Sequence, residues 1–146
     1  MRRIIAIVVV VATASAVAVV ALASTSAAGL PSYTNGYAKW PRINKTPFTS
    51  KGPLSSAHVG VKNVYANKRK VGRKYPNGTV IVKTIVKPGT KYVSQFAVMR
   101  KVDGRWRFVE YERSSPRAPY TVLAQGQLCV DCHMAVRAND YVFTKR

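Results

Sequence analysis

Both cysteines of this 146-residue chain, and one of its two histidines, fall in a single pentapeptide, Cys129-Val130-Asp131-Cys132-His133. C-x-x-C-H is the attachment sequence of c-type haem. Residues three apart share a face of a helical turn, so both sulfurs can form thioethers along one porphyrin edge while the adjoining imidazole reaches the iron. His133 is then the proximal iron ligand, Cys129 and Cys132 are the attachment points, and the cofactor is one covalently attached haem c. The rival uses of the motif fail on inventory. A disulfide leaves the histidine unexplained, and a thioredoxin-like site opens a βαβ unit, for which the 14 residues after Cys132 are too few. A zinc site needs a second ligand pair, and outside this cluster only His58 remains.

The N-terminus agrees with a cofactor attached outside the cytoplasm. Met1-Arg2-Arg3 is basic, Ile4 to Ala23 is an apolar run of 20 residues broken only by Thr13 and Ser15, and Ser26-Ala27-Ala28 is a small-residue cleavage site. Residues 1–28 therefore read as an export signal. The run is also long enough to span a bilayer, so an uncleaved anchor with membrane association through this segment is the competing reading. Residues 29–146 form one domain, periplasmic or otherwise exported.

Lys and Arg number 24 against 5 Asp and Glu, a formal charge of +19, and residues 1–28 hold only two of those cations. At 47% apolar and 10% aromatic residues the chain is no disordered polybasic tail. The densest basic stretch, Asn67 to Lys74, has five cations in eight residues. Export and the lack of the aromatic-glycine signature of an RNA-binding sheet argue against nucleic acid. The charge reads as a solvated surface, with an anionic partner met by electrostatic steering, either lipid headgroups or an acidic redox protein, as the alternative.

Turn signals divide the domain. Leu30 to Pro53, rich in Pro, Gly and Ser, is an irregular arm pinned by Tyr33, Tyr37, Trp40 and Phe48. Val59 to Tyr65 and Thr79 to Val86 are strand candidates, separated by the turn at Tyr75-Pro-Asn-Gly78. Asp103-Gly104 suits a type I′ turn, so Tyr92 to Val102 and Trp106 to Glu112 form a hairpin pairing Val102 with Arg105 and Met99 with Phe108. Thr121 to Val136, free of proline, reads as one helix despite Gly126. The fold class is α+β, dominated by an antiparallel β-sheet, with a C-terminal helix carrying the haem motif.

The iron's sixth position reads as open. Met134 adjoins the proximal ligand and reads as packing near the haem, His58 as a loop histidine, and Met99 as core. An open iron binds small molecules. Six-coordinate electron transfer through His58 or Met99 is the poorer alternative.

These residues resemble the cytochrome P-460 family over nearly all of the domain. Val64-Tyr-Ala-Asn67, Gly78-Thr-Val-Ile-Val-Lys83 and Trp106-Arg-Phe108 look like its strands. Cys129 to His133 followed by Asn139-Asp-Tyr-Val-Phe-Thr144 is similar to its haem motif and closing signature. The resemblance implies a mainly antiparallel fold, a homodimer and a haem c with an open distal face. In members that oxidise hydroxylamine it also implies a lysine linked to the porphyrin rim, and Lys83 occupies that position here. Alternation along the strand independently places Lys83 on an otherwise mostly apolar face with Ile81 and Ile85. Oxidation of hydroxylamine also calls for a base. Asp103 is in a turn, Asp131 between the cysteines and Asp140 in the closing segment, which leaves Glu110 and Glu112 beside Lys83 as candidate catalytic residues. Two functions follow: oxidation of hydroxylamine or a related nitrogen species, or non-enzymatic binding of nitric oxide or carbon monoxide, as in the cytochrome c′-beta branch.

Overall fold

The computed structural model describes residues 28–49 and 57–144. The export signal or anchor expected over residues 1–28, apart from Ala28, lies outside the described residues. Five strands form one antiparallel sheet in sequence order: β1 Val61–Ala66, β2 Val80–Val86, β3 Gln95–Val102, β4 Arg105–Glu112 and β5 Thr121–Gln125. Helix α1, Gln127–Met134, follows β5, and a 3-10 turn at Arg137–Asn139 begins the closing segment. No helix among the described residues is long and apolar enough to cross a membrane.

The hairpin has the expected register, with Val102 opposite Arg105 and Met99 opposite Phe108. Asp103 and Gly104 both take positive φ, 50° and 76°, as a type I′ turn requires. The helix expected over Thr121 to Val136 is shorter, because its first five residues are β5. Gly126, at φ 76° and ψ −140°, explains the break: this backbone conformation is essentially restricted to glycine and cannot continue a helix. Thr121 and Val122 instead pair with Glu112 and Tyr111, and the register of β5 shifts between Glu110 and Tyr111.

The sheet buries both faces. On one, Leu30, Phe96, Tyr111 and Tyr120 pack with Val80 and Val82, and the arm covers them through Tyr33, Tyr37 and Trp40. Edge-to-face contacts of Phe96 with Tyr37 and Tyr120 tie the arm down. On the other face Val64, Ile81, Met99, Trp106, Phe108 and Val142 form the cluster against which Cys129 and Val130 of α1 pack. The arm also shields the β1 edge, where Phe48 and Lys62 exchange backbone hydrogen bonds of 3.2 and 2.8 Å.

Candidate functional site

One register row builds the floor of the site. Val64, Lys83, Ala97, Glu110 and Ala124 lie opposite one another across β1 to β5, and all five line a cavity of about 480 Å³ between the sheet and α1. Alanine on β3 and β5 leaves open space, while Lys83 and Glu110, two strands apart, bring chemistry to an apolar surface. The strand spacing sets their backbones roughly 10 Å from each other. Cys129, Cys132 and His133 form the opposite wall with Val142, Phe143 and Thr144.

Because α1 is a true helix over the motif, Cys129 and Cys132 stand on one face, and both thiols are free. Burial, with Glu110 and Cys132 nearby, raises the Cys129 pKa, so this thiol remains protonated. His133 is 6% exposed and wedged between Phe108 and Phe143, whose ring centres lie 4.6 and 5.1 Å from its own. Its Nδ1–H donates to the Tyr141 carbonyl at 2.6 Å, which leaves Nε2 as the acceptor nitrogen. Burial pulls its pKa down to about 4, with Lys83 and His58 adding to the effect and the Tyr141 carbonyl opposing it. The imidazole is neutral at physiological pH, the form that binds iron.

Lys83 is buried with its ammonium 5.6 Å from the centre of the Phe143 ring. Burial first, and then nearby Lys62, lower its pKa to about 8 against the opposing pull of Glu110 and Cys132. Glu110 does not stand alone, since His58 Nδ1 lies 2.8 Å from its Oε1 and also lines the cavity. His58 takes a left-handed backbone, φ 57°, just ahead of β1. Sequence reasoning left this partnership unseen because the two residues are 52 positions apart and nothing local links them. Glu112 lies outside the cavity, where its carboxylate meets Lys87 at 3.2 Å on the sheet margin. Met99 is core, as expected. Met134, expected to pack near the haem, is 40% exposed and lines no part of the cavity, because α1 turns it outward.

The donor set fits a haem. Two thiols three residues apart, a neutral histidine with its second nitrogen already engaged, and an apolar cavity of cofactor size occur together. A zinc centre fits less well, since no group of three or more His, Cys, Asp or Glu among the described residues is arranged to hold a metal.

No curated protein matches the chain. The family model described as Cytochrome P460 matches residues 34–144, a span that takes in all five strands, α1 and every residue lining the cavity. The chain belongs to the Cytochrome P460 family and is a haem cytochrome.

Proposed function

We propose that this is an exported cytochrome with one haem c, attached through Cys129 and Cys132 and ligated by His133, that oxidises hydroxylamine or a related small nitrogen species. The observation that carries the reading is the placement of Lys83 and Glu110 in the same cavity as the attachment motif. Bound there, haem would supply a one-electron redox centre that small molecules could reach.

The chain's own groups supply the rest. Lys83, with its pKa near 8, is about one-tenth neutral at pH 7, and the neutral amine is the nucleophilic form for a link to the porphyrin rim. That link is a C–N bond that replaces a rim C–H and an amine N–H and gives up two electrons and two protons to an oxidant such as peroxide. Glu110 Oε1 is the proton acceptor, and His58 Nδ1 holds that oxygen in place across the cavity. Ile81, Met99, Phe108 and Phe143 make the cavity lining apolar, which strengthens each electrostatic contact inside. The exposed apolar side chains of Val122, Leu123 and Met134 support a homodimer, and the charge of +19 supports an acidic electron acceptor.

The same apolar and aromatic lining favours a second reading, in which the protein binds nitric oxide or carbon monoxide without turnover. The absorption spectrum of the dithionite-reduced protein, matured with haem c in an exporting host, separates the two. A Soret band far to the red of ordinary haem c, lost in Lys83→Arg, supports the enzyme and leads to a hydroxylamine turnover assay. An ordinary five-coordinate spectrum leaves gas binding as the function.

A further inference from the structure

The ion pair between Lys101 and Asp140 has no place in the chemistry above, yet its side chains are only 6% and 7% exposed. The other two pairs among the described residues, His58–Glu110 and Lys87–Glu112, are more open to solvent. Lys101 Nζ lies 3.0 and 2.8 Å from the two Asp140 oxygens, and the Tyr75 backbone N–H donates to Oδ2 at 2.7 Å. The Trp106 ring, opposite Lys101 in the β3–β4 register, lies 5.2 Å beneath the ammonium. A buried pair of this kind is weak evidence for stability, because desolvation offsets much of the attraction. Its value lies in what it holds still.

Asp140 and Tyr141 take successive left-handed conformations, φ 55° and 65°. Non-glycine residues rarely do this twice in a row without outside support. The double turn doubles the chain back under α1, with the Asp140 and Tyr141 N–H groups donating to Arg137 and Val136, and it aims the Tyr141 carbonyl at His133 Nδ1, 2.6 Å away. The support comes from the sheet, because the Asp140 carboxylate is tied to β3 through Lys101 and to the loop before β2 through Tyr75.

We infer that the buried Lys101–Asp140 pair is a positioning device for the axial ligand, holding the Tyr141 carbonyl against His133 Nδ1 and so strengthening Nε2 as a donor to the iron. The inference rests on the reading of His133 as the haem ligand. A stronger imidazole donor favours the ferric over the ferrous state and stiffens the iron–histidine bond.

The test uses the full-length haem-loaded protein and its Asp140→Asn and Lys101→Met variants. Two quantities are read: the reduction potential and the iron–histidine stretching frequency of the ferrous form by resonance Raman. Both variants are expected to lower the frequency and to raise the potential by about 59 mV, a tenfold change in the one-electron equilibrium. If the pair acted only through its charges, the two potentials would move in opposite directions, since one variant removes a negative and the other a positive group. Lys101→Met alone therefore decides the matter should Asp140→Asn fail to accumulate. Loaded variants with unchanged frequency and potential, or with potential shifts of opposite sign, overturn the inference alone. A wild-type protein without thioether-bound haem overturns the site reading and the inference together.

Discussion

Lys83 sits between Ile81 and Ile85 on the cavity face of β2, where its neighbours would suit a third aliphatic residue. The folded state holds its pKa at about 8, below the ordinary lysine value of 10.5, chiefly through burial. A lysine whose pKa falls on folding costs stability in full below the folded value, and the cost disappears as pH rises past the unfolded value. The window is therefore pH 8 to 10.5, and the cost below it is roughly 3 kcal/mol as an upper bound. In a chain with Cys129 and Cys132 replaced by alanine, which keeps Lys83 free to titrate, Lys83→Met is expected to be the more stable protein at pH 7. Its advantage in urea unfolding should shrink steadily from pH 8 to 10.5, and a difference that ignores pH would show that Lys83 is solvated. His58 and Glu110 show the other residue-scale device: a left-handed histidine at the mouth of β1 restrains a carboxylate that would otherwise be free to reorient.

At the level of elements, the local rules worked wherever the chain's neighbours in sequence are also its neighbours in space. The β3–β4 hairpin, the two faces of β2 and the helical motif were all legible, because Asp103-Gly104, period-two alternation and C-x-x-C-H each act over a few residues. Three features escaped. The sequence of β5 suits a helix because an edge strand that is mostly exposed has no alternation to display. The Glu110–His58 contact and the closing turn at Asp140 depend on pairings 52 and 39 positions apart, for which the sequence has no local signal. Glycine makes the contrast testable. Gly104, at φ 76° with open space around it, should lose about 1–2 kcal/mol on replacement by alanine, the cost of the left-handed backbone alone. A Cβ on Gly60 would come within 2.2 Å of the Val86 carbonyl oxygen, and backbone cannot yield as a side chain does. Gly60→Ala should therefore cost more than Gly104→Ala, read as denaturant midpoints at constant slope. Equal costs would mean that the chain carrying His58 into β1 moves aside freely.

For the whole molecule the dominant quantity is its charge of +19. That figure already counts the five carboxylates, and three of them, Glu110, Glu112 and Asp140, are committed to His58, Lys87 and Lys101, so most of the remaining cations have no acidic partner. Part of the excess is fixed beside the haem motif: Lys70 Nζ bonds Asn139 Oδ1 at 2.6 Å, so the basic loop from 67 to 74 is fastened to the closing segment that turns back to His133. Exposed Arg69, Arg73 and Lys74 on that loop would then create a positive field beside the haem motif. An anionic oxidant such as ferricyanide should take electrons from the reduced protein fastest at low salt. Its second-order rate is expected to fall about tenfold as ionic strength rises from roughly 0.01 to 0.15 M, where the screening length shrinks from about 30 to 8 Å. A cationic cobalt oxidant should show the opposite slope. Neutralising Arg69, Arg73 and Lys74 to glutamine should flatten the ferricyanide dependence more than neutralising Lys45, Lys91 and Arg117, which are equally exposed but belong to other loops. The comparison holds the change in total charge constant, so unequal slopes locate the path of electron transfer at the basic loop, and equal slopes assign the effect to net charge alone.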